Sequence, residues 1–265
     1  METRVSLVDL HSHILPGMDD GAQSDAEALE MLRIAASDGI QVIAATPHVN
    51  RTTSPDAILA GVARLNQLAV NEGVQIEVVP GSEVPIAADI VDRYHAGQVV
   101  TLNDTPYLLL ELRQTADWPP YVQTAIYDLQ VAGLVPILAH AERYPAIRDD
   151  AGVLTGLISS GVVIQINASS LLGKSGADSQ RAAEELLRNR MAHIIASDAH
   201  RPHARAPRLQ PALRHAATIV EASYVDGMRA TAAAILRGQP VTLPEPLTPN
   251  HRSWAVKLWE RLSGR

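Results

Sequence analysis

Short β-branched apolar runs alternate along the chain with longer segments whose apolar positions recur at helical spacing. The first run is Val5–Leu10. Ser24 then predicts a helix start, with Glu27 three residues on as a capping box. Leu29, Leu32 and Ala36 share one face of that helix, and Gly39 closes it. Gln41–Ala45 is the second strand. Ser54-Pro55 opens a second helix, with Ile58, Val62, Leu65 and Ala69 apolar and Gly73 at its end. Further strands are predicted at Gln75–Val79, Tyr107–Leu110, Leu134–Ala139, Val162–Ile166 and His193–Ala196. Helical patterns fill Ile86–Tyr94, Tyr121–Ala132, Asp150–Ser159 and Asp178–Asn189. Alternation of this kind requires parallel strands joined by crossover helices. Seven strands in one run predict an α/β fold, a distorted (β/α)7 barrel related to the TIM barrel and lacking one unit. An open doubly wound sheet is the alternative. No GxGxxG follows the first strand, which weakens a dinucleotide-binding version of it.

Two Ala-rich helices follow the last strand, Pro207–Ala222 and Gly227–Arg237. Pro244, Pro246 and Pro249 then make a stiff linker. The pattern divides the chain into a catalytic barrel with its C-terminal helices, residues 1–243, and a linker with a tail helix, residues 244–265. The tail, Arg252–Arg265, carries Trp254, Leu258 and Leu262 in one stripe beside Arg252, Lys257, Arg261 and Arg265. Such a stripe either packs back onto the barrel or docks weakly on a membrane surface or a membrane-bound partner.

Composition narrows the chemistry. The 265 residues, 46% of them hydrophobic, suffice for one large domain. A net charge of −7 without basic clusters argues against a nucleic-acid backbone as partner. There are no cysteines, so thiolate metal sites, disulfides and cysteine nucleophiles are excluded. No apolar run reaches membrane-spanning length, and Met1 to Val8 does not read as a signal peptide, so the cytoplasm is the expected location.

With thiolates excluded, the residues at the strand ends carry the candidate chemistry. His11 and His13 follow the first strand, with Asp19 and Asp20 beyond them. His48 follows the second, Glu83 the third, Glu111 ends the fourth, and His140 follows the fifth. Asn167 follows the sixth, and Asp198 and His200 the seventh. Residues two apart on extended backbone point the same way, so His11 and His13 can reach one ion. Parallel strands bring all these ends to one face. Nine candidate ligands of nitrogen and oxygen type exceed the four to six that one ion takes, so two or three divalent ions with a bridging carboxylate are expected. Spacing does not choose between Asp19 and Asp20. His95, His193, His215 and His251 fall at helical, strand-start or tail positions and read as packing or surface residues; His203 is ambiguous. Arg143 and Arg205 fall on the same face. Ion pairing with nearby carboxylates is the bland reading of each, but arginines beside several metal ions suit a phosphate. Arg201 could replace Arg205 on spacing alone.

The order of DLHSH (Asp9–His13), the His48 turn, Gly81-Ser82-Glu83, His140 and Ser197-Asp198-Ala199-His200 resembles the polymerase and histidinol phosphatase (PHP) family. HILPGMDDGA, ATPH, PGSEV, HAERY, QINASSLLG and SDAHRP look like its bacterial capsule- and exopolysaccharide-associated tyrosine phosphatases. The resemblance implies a trinuclear site, usually described with manganese; iron, zinc and cobalt suit the same donors. By position it implies His11, His13, Asp198 and Glu83 around one ion. Glu83 bridges to a second ion held with Glu111 and His140, and Asp20, His48 and His200 hold a third. Arg143 and Arg205 are implied to bind the substrate phosphate. Phenolate is a good leaving group, so a strong general acid is not required, but His48 or Asp198 near the metals could relay a proton. The implied reaction is hydrolysis of phosphotyrosine on a protein, a polysaccharide-synthesis tyrosine kinase, by metal-activated water. A small-molecule phosphatase of the histidinol-phosphate type is the nearest alternative. An amidohydrolase-like hydrolase is another; it calls for a His where Asn167 stands.

Overall fold

The computed structural model describes residues 6–49, 53–112 and 118–247; the tail stripe at Trp254, Leu258 and Leu262 lies outside them. The chain begins with β1 (Leu7–Ser12), α1 (Asp25–Ser37), β2 (Ile40–Ala45), α2 (Pro55–Asn71), β3 (Glu77–Pro80), β4 (Glu83–Pro85) and α3 (Ile90–His95). It continues with β5 (Tyr107–Glu111), α4 (Val122–Val131), β6 (Val135–Leu138), α5 (Pro145–Asp149), α6 (Thr155–Ser159), β7 (Val163–Asn167) and α7 (Ala168–Leu171). The last described elements are α8 (Ala177–Arg188), β8 (Ile194–Ala196), α9 (Gln210–Ala216) and α10 (Ala222–Leu236). Among the described residues no helix is long and apolar enough to cross a membrane.

All strand pairs are parallel, in a sheet β1-β2-β3 and a sheet β4-β5-β6-β7-β8. The extra element lies beyond the third predicted strand, Gln75–Val79: after Gly81 and Ser82 a short strand, β4, leaves β2 and pairs with β5. Gly81 sits where a Cβ would lie 2.7 Å from Leu102 and 3.0 Å from Thr46, so the switch needs a residue without a side chain. Single parallel bridges run between the sheets at His48 and Glu83, and between Ser12 and Ala199 beyond β8.

Two apolar layers hold this together. Val8, Leu10, Ala44, Val79, Leu109, Ile137, Val163 and Ile194, drawn from both sheets, pack into one buried cluster with Ala232, Ala233 and Ile235 of α10. A larger cluster fills the space between the strands' other faces and the helices, with Met31 and Leu32 of α1, Ile58 and Leu65 of α2, and Leu186 and Leu187 of α8. The helix starts follow the sequence in part. Ser24 Oγ accepts from Glu27 N, but the Glu27 carboxylate takes Gln23 N, one residue before the position a capping box uses. Ser54 caps α2 as expected, with Pro55 at the first turn. The single helix predicted over Asp150–Ser159 is instead a 3-10 turn at Ala151–Leu154 followed by α6, because Asp150 is extended and spends its side chain on Gly152 N.

Candidate metal centre

The register that buries apolar residues at mid-strand carries polar residues at the strand ends. Leu109 is followed two residues on by Glu111, and Val163 by Gln165 and then Asn167. β1 departs from this rule. Val8 and Leu10 belong to the inner cluster, yet His11 and His13 reach the centre, because the β1–β2 register is irregular between Asp9 and Ser12. Such an irregularity re-aims the side chains beyond it.

His11, His13, Glu83, His140, Asp198 and His200 are buried; His48 is about one third exposed and Asp20 more so. His11 Nε2 and His13 Nε2 lie 3.2 Å apart. Glu83 Oε2 is 3.3 Å from each, and Asp198 Oδ1 is 3.5 Å and 3.4 Å from them. With bonds of about 2.1 Å to a common ion, neighbouring ligand atoms lie roughly 3.0–3.4 Å apart. These donors therefore fit a divalent ion. On the other side of Glu83, His140 Nε2 is 2.8 Å from Oε1, and His48 Nδ1 is 3.0 Å from Oε2 and 3.3 Å from Glu111 Oε1. Glu83 Oε2 and His48 Nδ1 are buried without a hydrogen-bond partner among the described residues, which again suits a metal. A third group joins His13, Asp20, His48 and His200, with Asp20 Oδ1 3.4 Å from His200 Nε2 and 3.6 Å from His48 Nε2. His48 thus faces two groups, one with each ring nitrogen, where the resemblance gave it one.

The histidine tautomers are set from behind. Gln165 Oε1 accepts from His11 Nδ1, Asp19 Oδ2 from His13 Nδ1, and the Asp198 carbonyl from His200 Nδ1. Each bond leaves the Nε2 lone pair facing the centre. Asp19 also accepts from the backbone N of His48 and of Gly21, so its oxygens are used and Asp20 is the carboxylate turned toward the histidines. Gly21 makes this loop possible, since a Cβ there would lie 1.9 Å from the His13 carbonyl oxygen. Burial works against the charge on Asp19, but His13 and two backbone N–H groups hold its pKa down to about 2. Burial would depress His48, and the Glu111 and Glu83 carboxylates outweigh it, pushing the imidazole up to about 10. Burial likewise opposes charge on Asp198, and His11 and His13 hold it well below the ordinary carboxylate range.

Asp198 divides its two oxygens. Oδ1 faces His11 and His13, while Oδ2 accepts from Asn167 Nδ2 at 2.7 Å and meets Arg205 Nη2 at 2.6 Å and Arg143 Nη1 at 3.4 Å. Arg201 turns away to pair with Glu27, leaving Arg205 at the centre. Arg148 donates to the backbone carbonyls of Glu142 and Arg143 and so clasps the turn that presents Arg143. Of the other histidines, His193 is buried beside β7, His215 meets Glu184, His95 rests on Tyr94 and His203 is exposed near Glu30, while His251 lies outside the described residues. Gln165 is the residue that sequence reasoning passed over, because strand interiors were expected to be apolar. Its signal was visible as the polar position in VVIQIN, two before Asn167.

Residues 7–237 match the profile of the capsular polysaccharide synthesis family CpsB/CapC. The chain belongs to that family. It is 36% identical over 210 residues to the tyrosine-protein phosphatase YwqE of Bacillus subtilis, covering 78% of this chain and 82% of YwqE. It superimposes with a TM-score of 0.88 and 33% identity on a chain from the crystal structures of YwqE from B. subtilis and CpsB from Streptococcus pneumoniae, described as metal-dependent tyrosine phosphatases; 92% of this chain and 100% of that one are covered. A histidinol phosphate phosphatase from Lactococcus lactis, at a TM-score of 0.51 and 14% identity over 84% of this chain and 94% of that one, shares the fold alone. Asn167, where an amidohydrolase-like site calls for a histidine, is a buried donor to Asp198.

Proposed function

We propose that this protein is a metal-dependent protein-tyrosine phosphatase acting in the cytoplasm, where ATP-driven kinases make phosphotyrosine, on a tyrosine kinase of polysaccharide synthesis. The observation that carries the reading is the arrangement around Asp198. One oxygen faces the histidine and Glu83 donors, the other gathers Arg143 and Arg205, so a phosphoryl group held by the arginines adjoins the metal centre. Its relatives' names, tyrosine-protein phosphatase, support the substrate.

His11, His13, Asp20, His48, Glu83, Glu111, His140, Asp198 and His200 would hold two or three divalent ions, manganese first among those suited to nitrogen and oxygen donors. Bound ions supply Lewis acidity, which activates water and offsets charge on the phosphoryl oxygens. Arg143 and Arg205 exchange Asp198 Oδ2 for the phosphate and steady its charge as phosphorus is attacked. Asp198 stays ionised, keeping its hydrogen bond from Asn167 when the arginines turn to the phosphate. His48, with a ring nitrogen toward each of two donor groups, would be held as a metal ligand and has no proton to pass, so the phenolate, a good leaving group, departs without a strong general acid. We also read the two sheets, bridged at His48–Glu83 and Ser12–Ala199, as one distorted barrel that opens at this centre.

Turnover of a phosphotyrosine peptide, with metal content measured on the same sample, tests the reading. Arg143→Ala or Arg205→Ala should keep the metal and lower kcat/KM on the order of tenfold to a thousandfold. Wild-type kinetics in both variants would remove the arginines from phosphate binding.

A further inference from the structure

Beside the centre lies a cavity of about 970 Å3 that begins at Arg143, Arg205, Asn167 and Ser197 and extends to the loop between α7 and α8. It is far larger than one phosphoryl group needs. Its lining is strongly cationic for a protein of net charge −7: Arg143, Arg148, Lys174, Arg205 and Arg208 all border it. Asp178 is its acidic member, and that carboxylate is paired outward with Arg181. Three of the five cations are already engaged. Arg143 and Arg205 meet Asp198, and Arg148 holds the carbonyls of the Arg143 turn. Lys174 and Arg208 are exposed and have no side-chain partner among the described residues.

Two cations without a side-chain partner among the described residues, on the wall of a cavity that opens beside a phosphate site, form a region of positive potential, against which the lining sets Asp178, itself paired with Arg181. Lys174 is held in place by its loop: its backbone N donates to the Ser169 carbonyl, and Ser169 and Ser175 share a hydroxyl hydrogen bond. Arg208 stands on the facing segment just before α9, whose entry is pinned by Asp38 accepting from Leu209 and Gln210. Both charges are therefore carried on anchored backbone, which favours recognition over mere solubility.

We propose that this cavity is a subsite for anionic groups flanking the phosphotyrosine of a protein substrate, with Lys174 and Arg208 as the charges that read them. The groups share one chemistry, clustered negative oxygens, supplied either by Glu and Asp side chains or by a second phosphotyrosine. The inference rests on the phosphotyrosine-phosphatase reading and adds substrate selectivity to it.

The test uses the full-length, metal-loaded protein and three peptides that share one central phosphotyrosine. Its neighbours are Ala in the first, Glu in the second, and a further phosphotyrosine in the third. The readout is the ratio of kcat/KM for each anionic peptide to that for the Ala peptide, so a general loss of activity does not mimic the effect. Two solvent-accessible pairs should give a ratio on the order of three- to tenfold at low salt, shrinking as salt is added. The ratio should fall toward one in Lys174→Gln/Arg208→Gln, with each single variant intermediate. The anionic peptide with the larger ratio identifies the source. A wild-type ratio near one overturns the subsite while leaving the phosphatase reading intact, as does a double variant that keeps the wild-type ratio. Absence of turnover on all three peptides by metal-loaded protein removes both.

Discussion

Gln165 joins two sides of the centre through one amide. Its oxygen accepts from His11 Nδ1 and from the backbone N of His140, and its nitrogen donates to Asn167, which donates in turn to Asp198. The same backbone bonds hold unusual conformations. Among the described non-glycine residues with positive φ are His140 at 35°, Asp198 at 51° and Arg205 at 59°. Each costs on the order of 1–3 kcal/mol and persists only where the surroundings impose it. Here Gln165 takes His140 N, the His11 carbonyl takes Asp198 N, and the Arg205 carbonyl takes His200 N. Gln165→Leu should keep the fold's apolar volume, leave two donors without an acceptor and free the His11 ring. Metal affinity should drop roughly ten- to hundredfold, as loss of a supporting hydrogen bond does. Metal titration followed by calorimetry checks this, and an unchanged affinity would show that Gln165 does not orient His11.

At the scale of elements, the alternation of parallel strands and helices was legible because burial on both faces of a parallel strand leaves continuous apolar runs. The short strand β4 was not, since its pairing with β5 is set by a distant strand. His193 shows how an element boundary carries its own chemistry. Its Nδ1 accepts from Ile164 N where β8 meets β7, so the ring must be neutral there, and burial pushes it down to about 4. A histidine whose folded pKa is depressed binds fewer protons folded than unfolded. Its contribution is present above the unfolded value of about 6.5 and is lost as pH falls through that window toward 4. The full loss is about 3 kcal/mol. His193→Asn, which keeps an acceptor in place of Nδ1, should flatten part of the acid limb of stability. Denaturant melts at pH 7 and pH 4.5 would show it; an equal acid loss in variant and wild type would acquit His193.

At the scale of the molecule, protons and ions compete for the histidines of the centre. Carboxylates hold His48 protonated to about 10 in the metal-free protein, with His13 also raised. A raised folded pKa contributes stability below about 6.5 that is lost as pH climbs through the folded value. Ions replace those protons, so their affinity rises with pH. Removing metal with a chelator should therefore lower Tm, and the gap between loaded and metal-free protein should widen from pH 6.5 toward pH 10. Melting both forms across that range checks it; a gap that stays constant or narrows would mean that protons and ions do not compete at these histidines.

The sequence alone determined the alternation of strands and helices, the family, and the residues gathered at one face. Hydrophobic period and strand-end position are local properties, and they needed no coordinates. Only the tertiary structure decided that Asp19 supports His13 from behind while Asp20 turns toward the Nε2 atoms of His48 and His200, and that Arg205 stays at the centre while Arg201 leaves for Glu27. Adjacent residues of like chemistry are equivalent in one dimension. They become distinct when hydrogen bonds with distant segments, here from His48 N to Asp19 and from Arg201 to Glu27, consume one and leave the other free. The cavity with Lys174 and Arg208 belongs to the same class: their charges lie far apart along the strand-end pattern, and only packing of the α7–α8 loop against the segment before α9 sets them around one space.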